Sequence, residues 1–290
     1  MTSPLYQYPF SAKRFVLGPH ALSYVDEGRG PAVVMVHGNP SWSYLYRNLI
    51  SALSVKYRVI APDHMGCGLS DKPAHYPYCL RTHIANLDSL LDYLQIERCV
   101  LVVHDWGGAI GMGWAGVNRD RIAGLVVLNS AAFPSPRLPL RIAVCRRPLI
   151  GALLVRGLNG FAGAATFMAV AGSMDDRVKK GFLAPYGNWR ERVAIHRFIQ
   201  DIPMRPDHPS WPTLQAVTAS LGGLRDKPML LLWGGRDFCF NRLFYEEWRR
   251  RFPRAEGVLF AGAGHYVLED ILPEAMTQLS PFLQNCYGKL

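Results

Sequence analysis

The sequence predicts an α/β fold: a mostly parallel sheet flanked by helices, with a block of helices inserted before the sheet is complete. Three observations lead there. Short, continuous aliphatic runs recur along the chain, each stops abruptly at polar or glycine residues, and segments of helical spacing lie between them. Residues 32–36 (AVVMV) stop at His37-Gly38-Asn39-Pro40, and residues 57–61 stop at Pro62-Asp63. Residues 99–103 stop at His104-Asp105, 124–128 at Asn129-Ser130, and 229–233 at Gly234-Gly235. Runs that are apolar throughout, rather than at every second place, belong to strands buried on both faces. Between them, residues 83–94 place Ile84, Leu87, Leu90 and Leu91 at helical spacing. Strand and helix in alternation mean a parallel sheet covered on both sides.

The alternation stops after residue 132. From about 133 to 226 there are only helical segments punctuated by proline and glycine, too long a stretch for a loop in a compact domain. We expect a core from 1–132, a helical cap over 133–226, and the rest of the core over 227–290. In an open parallel sheet, reactive groups gather outside the carboxyl ends of the strands, so an insertion leaving that edge forms a lid over them.

Composition narrows the function. With 290 residues, 49% of them hydrophobic, the chain can bury a core without disulfide or metal staples. Lysine and arginine number 32 against 22 aspartates and glutamates, a formal charge of +10. No acid lies between Asp120 and Asp175, whereas Arg121, Arg137, Arg141, Arg146, Arg147 and Arg156 do. A solvated surface accounts for most such clusters. The Arg-rich cap is nonetheless a candidate face for a membrane, a partner protein or self-association, and no nucleic-acid motif accompanies the charge. A second cluster, Arg249 to Arg251 with Arg254, has Glu246 and Glu247 beside it. The six cysteines form no metal-ligand spacing, which predicts no structural metal and a reducing, cytoplasmic setting. The opening MTSPLYQYPFSAKRF lacks the apolar core of a signal peptide. Residues 157–174 are uncharged, but they read as a buried helix over an apolar site rather than a membrane span.

The reactive constellation follows from the strand ends. In VVHDWGG (102–108) a strand runs into a sharp turn and then a helix, the setting of a nucleophile elbow with Asp105 in the nucleophile's place. Such an aspartate is expected to be strained, exposed at its tip and kept ionised by the helix N-terminus. Plain helix capping competes as a reading. His265 follows a late strand on a glycine-rich turn (FAGAGHY, 260–266), and Asp237 lies just past residues 229–233. Nucleophile, acid and histidine then stand in order along the chain. Glu269 and Asp270 compete for the acid's place, but they lie in a helical stretch, which favours Asp237.

Together with the residue order, the strings HGNPSWS (37–43), DHMGCGLSDKP (63–73) and HDWGG (104–108) resemble the haloalkane dehalogenases of the α/β-hydrolase fold. Asn39, Trp106 and the late Asp237 together resemble the third subfamily, which shades into the β-lactone decarboxylases of bacterial hydrocarbon biosynthesis. The cap segments GLNGFAG (157–163) and RFIQDIPM (197–204) are similar to that combined group. The resemblance implies Asp105 as nucleophile, His265 as base, Asp237 as acid, and Asn39 with Trp106 as halide and oxyanion donors, with no cofactor or metal. A small hydrophobic substrate and a halide ion are the implied partners. A serine esterase is excluded by Asp105, and a fluoroacetate dehalogenase by Trp106 where that family carries arginine. An epoxide hydrolase needs two cap tyrosines, and Tyr186 is the only tyrosine between 133 and 226. A non-catalytic scaffold predicts a broken member of the set, and none is broken. Phe161, Phe167, Met168, Phe198 and Met204 are expected in the cap, either as its core or as a greasy pocket wall.

Overall fold

The structure is a computed structural model that describes residues 5–288. The first four residues of the opening segment read above lie outside it. Among the described residues the sheet has eight strands: β1 (Lys13–Leu17), β2 (His20–Glu27), β3 (Ala32–Val36), β4 (Arg58–Pro62), β5 (Cys99–Asp105), β6 (Ile122–Ser130), β7 (Met229–Gly234) and β8 (Glu256–Phe260). They lie in the order β1-β2-β4-β3-β5-β6-β7-β8. From β4 onward every neighbouring pair is parallel, whereas β1 and β2 form an antiparallel pair joined to β4. The six parallel strands fall where the aliphatic runs predict them. The N-terminal hairpin is an addition to that expectation: β1 is an edge strand whose residues are exposed or half-buried, so it carries no aliphatic run.

Both faces of the central strands are covered. Val100 and Val102 enter one apolar cluster, while Leu101 and Val103 enter the other, with each of the four fully buried. The period of two along each strand sends successive side chains into separate cores, which is why the runs contain no polar position.

Between β6 and β7 the chain is helical: Leu140–Cys145, Pro148–Ala152, a π turn over Leu153–Gly157, Gly160–Met168, Asp176–Leu183, Val193–Gln200 and Trp211–Ser220. The last of these returns to the sheet layer and packs against the core helix Trp106–Val117. Two expectations about this segment need correction. Residues 157–174 are not one buried helix; a nine-residue helix follows the π turn, and within it only Ala162 and Thr166 are buried. Phe167 is 66% exposed and does not line the cavity beside Asp105. No single helix among the described residues is long and apolar enough to cross a membrane, although the bent pair Pro148–Gly157 and Gly160–Met168 is by length and composition.

Candidate active site

The elbow is built by close approach of three strand ends. Asp105 has φ 50° and ψ −125°, a backbone state that disfavours any residue with a Cβ. The turn is held by a hydrogen bond of 2.5 Å from Ser130 Oγ, at the end of β6, to the Asp105 carbonyl. Two glycines make the approach feasible. A Cβ on Gly38 would collide with the Asp105 carboxylate, and one on Gly107 would meet the Val36 carbonyl. Asp105 occupies the N-cap place of Trp106–Val117, yet its side chain makes no capping bond. Capping is therefore not what this aspartate does.

The Asp105 carboxylate instead turns toward β3. The Asn39 backbone N–H donates to Oδ1 at 2.7 Å, and the neighbouring Trp106 backbone N–H adds a weaker pull on the carboxylate charge. Its tip is not exposed as expected. Asp105 is buried, and burial raises its pKa above the ordinary carboxylate value despite the pull of His265 and the two amides. The field of one helix terminus does not outweigh that desolvation.

His265 lies across from it. Its Nε2 is 3.8 Å from Asp105 Oδ2, and its Nδ1 is 2.7 Å from Asp237 Oδ2. Asp237 Oδ1 accepts from the Cys239 N–H at 2.6 Å. Burial opposes the charge on Asp237, but His265, the Cys239 amide and Asn129 together bring its pKa below the ordinary value. Burial likewise opposes an imidazolium at His265, and Asp237 and Asp105 outweigh it, raising the imidazole pKa above 6.5. The structure thus brings Asp105, His265 and Asp237 together at the carboxyl ends of β5 and β7 and the loop after β8.

The supporting roles of four residues were not read from sequence. Asn129, at the end of β6, donates from Nδ2 to Asp237 Oδ2 at 2.9 Å and accepts the Gly234 N–H on Oδ1. Ser130 holds the elbow as described. His104 bonds the His265 carbonyl through Nε2 at 2.9 Å. Asp270 accepts from the Gly264 N–H at 2.7 Å and from Ala171 N–H, tying the histidine loop to the helical segment. The signal in each case is a polar residue at a strand end or beside the histidine, which names a place but no partner.

The rival acid Glu269 is engaged elsewhere: Arg47 donates to both its oxygens, at 2.5 and 2.8 Å. Arg47 is 1% exposed, so removing its partner leaves a buried guanidinium uncompensated. Glu269→Ala is expected to lower stability by about 3–5 kcal/mol, read as a fall in the urea midpoint, with turnover by the remaining folded protein unchanged.

A cavity of about 280 Å³ opens beside the three residues. Its wall includes Asn39, Trp106, Asp105 and His265, together with Leu138, Ile142, Phe161, Met168, Met204, Leu214 and Phe240. Phe198 is not in that wall; it is buried and stacked on His83 at 4.3 Å. No tyrosine lines the cavity among the described residues; Tyr186 is buried, with its hydroxyl accepting from the Gly68 N–H. Trp106 differs from Trp114, Trp233 and Trp248, whose indole N–H groups are bonded to protein oxygens. Its own has no protein partner among the described residues. Asn39 Nδ2 donates to the Ile195 carbonyl at 3.2 Å, which leaves its second amide proton free. A free indole N–H and an amide proton at an apolar wall suit an anion that cannot give up a proton.

Residues 31–151 match the family model described as the alpha/beta hydrolase fold. A cis-3-alkyl-4-alkyloxetan-2-one decarboxylase of Shewanella oneidensis is 43% identical over 95% of this chain and 89% of its own length. The protein of the same name from Xanthomonas campestris pv. campestris is 42% identical over 96% and 97%. A haloalkane dehalogenase of Mycobacterium tuberculosis is 31% identical over 91% of each chain. Among solved structures, a haloalkane dehalogenase of Bradyrhizobium elkani shares the fold with a TM-score of 0.86 at 23% identity, over 96% of this chain and 98% of that one. The chain belongs to the haloalkane dehalogenase family of the α/β-hydrolase fold, close to the β-lactone decarboxylases.

Proposed function

We propose that the protein is an enzyme in which Asp105 attacks an sp³ carbon, forming an ester with its own carboxylate, and that its reaction is haloalkane hydrolysis. The observation that carries this reading is the aim of the Asn39 and Trp106 backbone amides. The Asn39 amide donates to the Asp105 carboxylate itself, and the Trp106 amide pulls on the same charge. Donors in that place stabilise an oxyanion that develops on Asp105, which happens only if Asp105 becomes the ester under attack. Asp105 Oδ2 displaces halide in line: the C–O bond forms, and the C–halogen pair leaves with the ion toward Trp106 and Asn39. His265 then takes a proton from water as the water oxygen attacks Cγ, and the alcohol departs with that proton. Asp237 holds the imidazole with Nδ1 protonated and stabilises the cation, and Asn129 holds Asp237. Alkylation also removes the Asp105 charge. Since that charge helps keep His265 protonated, the histidine becomes free to act as base when a base is needed.

The 43% and 42% identity to oxetanone decarboxylases favours a second reading on the same residues. Asp105 would open a cis-dialkyl β-lactone at its ring C–O carbon, giving a carboxylate. Loss of carbon dioxide would then pass its electron pair into the alkene as the bond to Asp105 breaks. The apolar cavity wall suits either substrate. Within segment 133–226 the helices from Leu140–Cys145 to Val193–Gln200 act as the cap over this cavity, while Trp211–Ser220 joins the core formed by the chain segments on either side. The six free thiols support a reducing compartment such as the cytoplasm.

Purified protein given short bromo- and iodoalkanes, and separately a dialkyl oxetan-2-one, decides between the two. Halide release that depends on Asp105 supports the first reading. Alkene and carbon dioxide without halide release transfer the assignment to the second, and inertness toward both rejects the pair.

A further inference from the structure

We propose that the cap docks on an anionic phospholipid surface through the outer face of residues 137–168. Three observations meet there. The segments Leu140–Cys145, Pro148–Ala152 and Leu153–Gly157 lie against the helix Val193–Gln200 on one side, burying Ile142, Gly151 and Val155. Their other side, continued by the following helix, is apolar and exposed: Leu140 80%, Leu149 86%, Ile150 58%, Leu153 60%, Leu158 69% and Phe167 66%. Half of the sixteen large hydrophobic residues that are exposed among the described residues fall within residues 140–168. Scattered singly these would mean nothing, but a concentration of this kind marks an interaction face.

The charge around the face selects its partner. Arg137, Arg141, Arg146, Arg147 and Arg156 are interleaved with the apolar residues, and no acid occurs in the interval. Among the described residues none of the five forms an ion pair. Arg141 and Arg156 instead lie over the rings of Phe238 and Trp189, at 4.6 and 4.4 Å, while the half-buried Arg146 and Arg156 donate to the Ile202 and Trp189 carbonyls, so it is charge without a carboxylate partner that marks the face. The other arginine cluster behaves differently, since Arg250 and Arg251 are both satisfied by Glu247. Exposed leucines with unpaired guanidinium groups and no carboxylate are what an interfacial helix presents to anionic lipid. A second copy fits less well: a two-fold contact would set this arginine-rich face against itself.

The exposed Arg137 and Arg141 belong both to this face and to the cavity wall. A greasy substrate dissolved in the bilayer would then enter without crossing water. The docking claim itself stands apart from the reaction at Asp105 and is read by binding alone.

The test is flotation of the full chain with vesicles of phosphatidylcholine containing about one-third phosphatidylglycerol, at about 20 mM and about 500 mM salt. Wild type is expected to float at low salt, and to lose roughly 10-fold or more of its partitioning at high salt or with pure phosphatidylcholine. The Leu149→Asp/Ile150→Asp double variant is expected to lose a similar factor. Neither side chain lines the cavity, so turnover of a short, soluble substrate should be unchanged, which also checks that the variant is folded. Arg147→Glu, a single exposed change, should weaken flotation in the same sense. The proposal is overturned by absence of flotation at low salt, by equal binding to uncharged vesicles, or by variants that float like wild type. It is also overturned if wild type is a dimer that the double variant breaks, since a second copy would then own the face.

Discussion

Asp105→Ala is expected to reduce kcat on the order of 10⁶-fold while leaving the unfolding midpoint no lower than that of wild type. The size follows from the division of labour. No other carboxylate lines the cavity among the described residues, so nothing can take over the displacement. What survives is the cavity, the two amides and His265, which can hold a substrate but cannot open a C–halogen bond. The stability expectation has a separate origin. Asp105 is buried, its pKa is raised by desolvation, and its backbone stands at φ 50°. A charge kept in such a place is held there for function at the expense of stability. The measurement pairs product release with a urea or thermal melt. A variant that retains even one-hundredth of the wild-type rate would contradict the assignment.

Asp237→Asn is expected to lower kcat by about 10⁴-fold and to move the acidic limb of the remaining pH–rate profile to lower pH. The rate falls because an amide can present N–H to Nδ1 and turn the imidazole into the tautomer with its lone pair on the wrong nitrogen. The pH shift has a fixed sign. In wild type, Asp237 is among the groups that raise the His265 pKa above 6.5, so the neutral base form is depleted below that raised value. Without the Asp237 charge the imidazole gives up its proton more easily, and the base form persists to lower pH. A limb that stays in place, or moves up, would mean that another group governs it.

The trio Asp105, His265 and Asp237 was legible because each member interrupts a pattern. Asp105 and Asp237 follow aliphatic runs that stop sharply, and His265 stands in a glycine-rich turn after another. The parallel strands were legible for the same reason, since burial on both faces leaves no polar position to blur them. The hairpin β1–β2 was not: β1 is an exposed edge strand, and β2, though buried over residues 21–25, is interrupted by Ser23 and Tyr24 and carries no aliphatic run. Asn129 and Asp270 were hidden for a different reason. Their partners, Asp237 and the backbone of Gly264 and Ala171, come from other segments, and no spacing rule joins them. In residues 148–168 nearly every position is apolar or small, so periodicity could not tell the wall of the cavity from the outer face. Phe161 and Phe167 look alike in sequence, yet one lines the cavity and the other is exposed.

The most direct test of Asp105 as nucleophile uses His265→Phe, which keeps an aromatic ring beside Phe240 but removes the base. Mixed with 1-iodobutane and digested, the variant is expected to yield the peptide containing Asp105 with one butyl group added, because the ester forms and is not hydrolysed. Wild type treated in the same way should release iodide and return an unmodified peptide. An unmodified Asp105 peptide from the variant, or a butyl group on Cys239 instead, while wild type still releases iodide, would contradict the account.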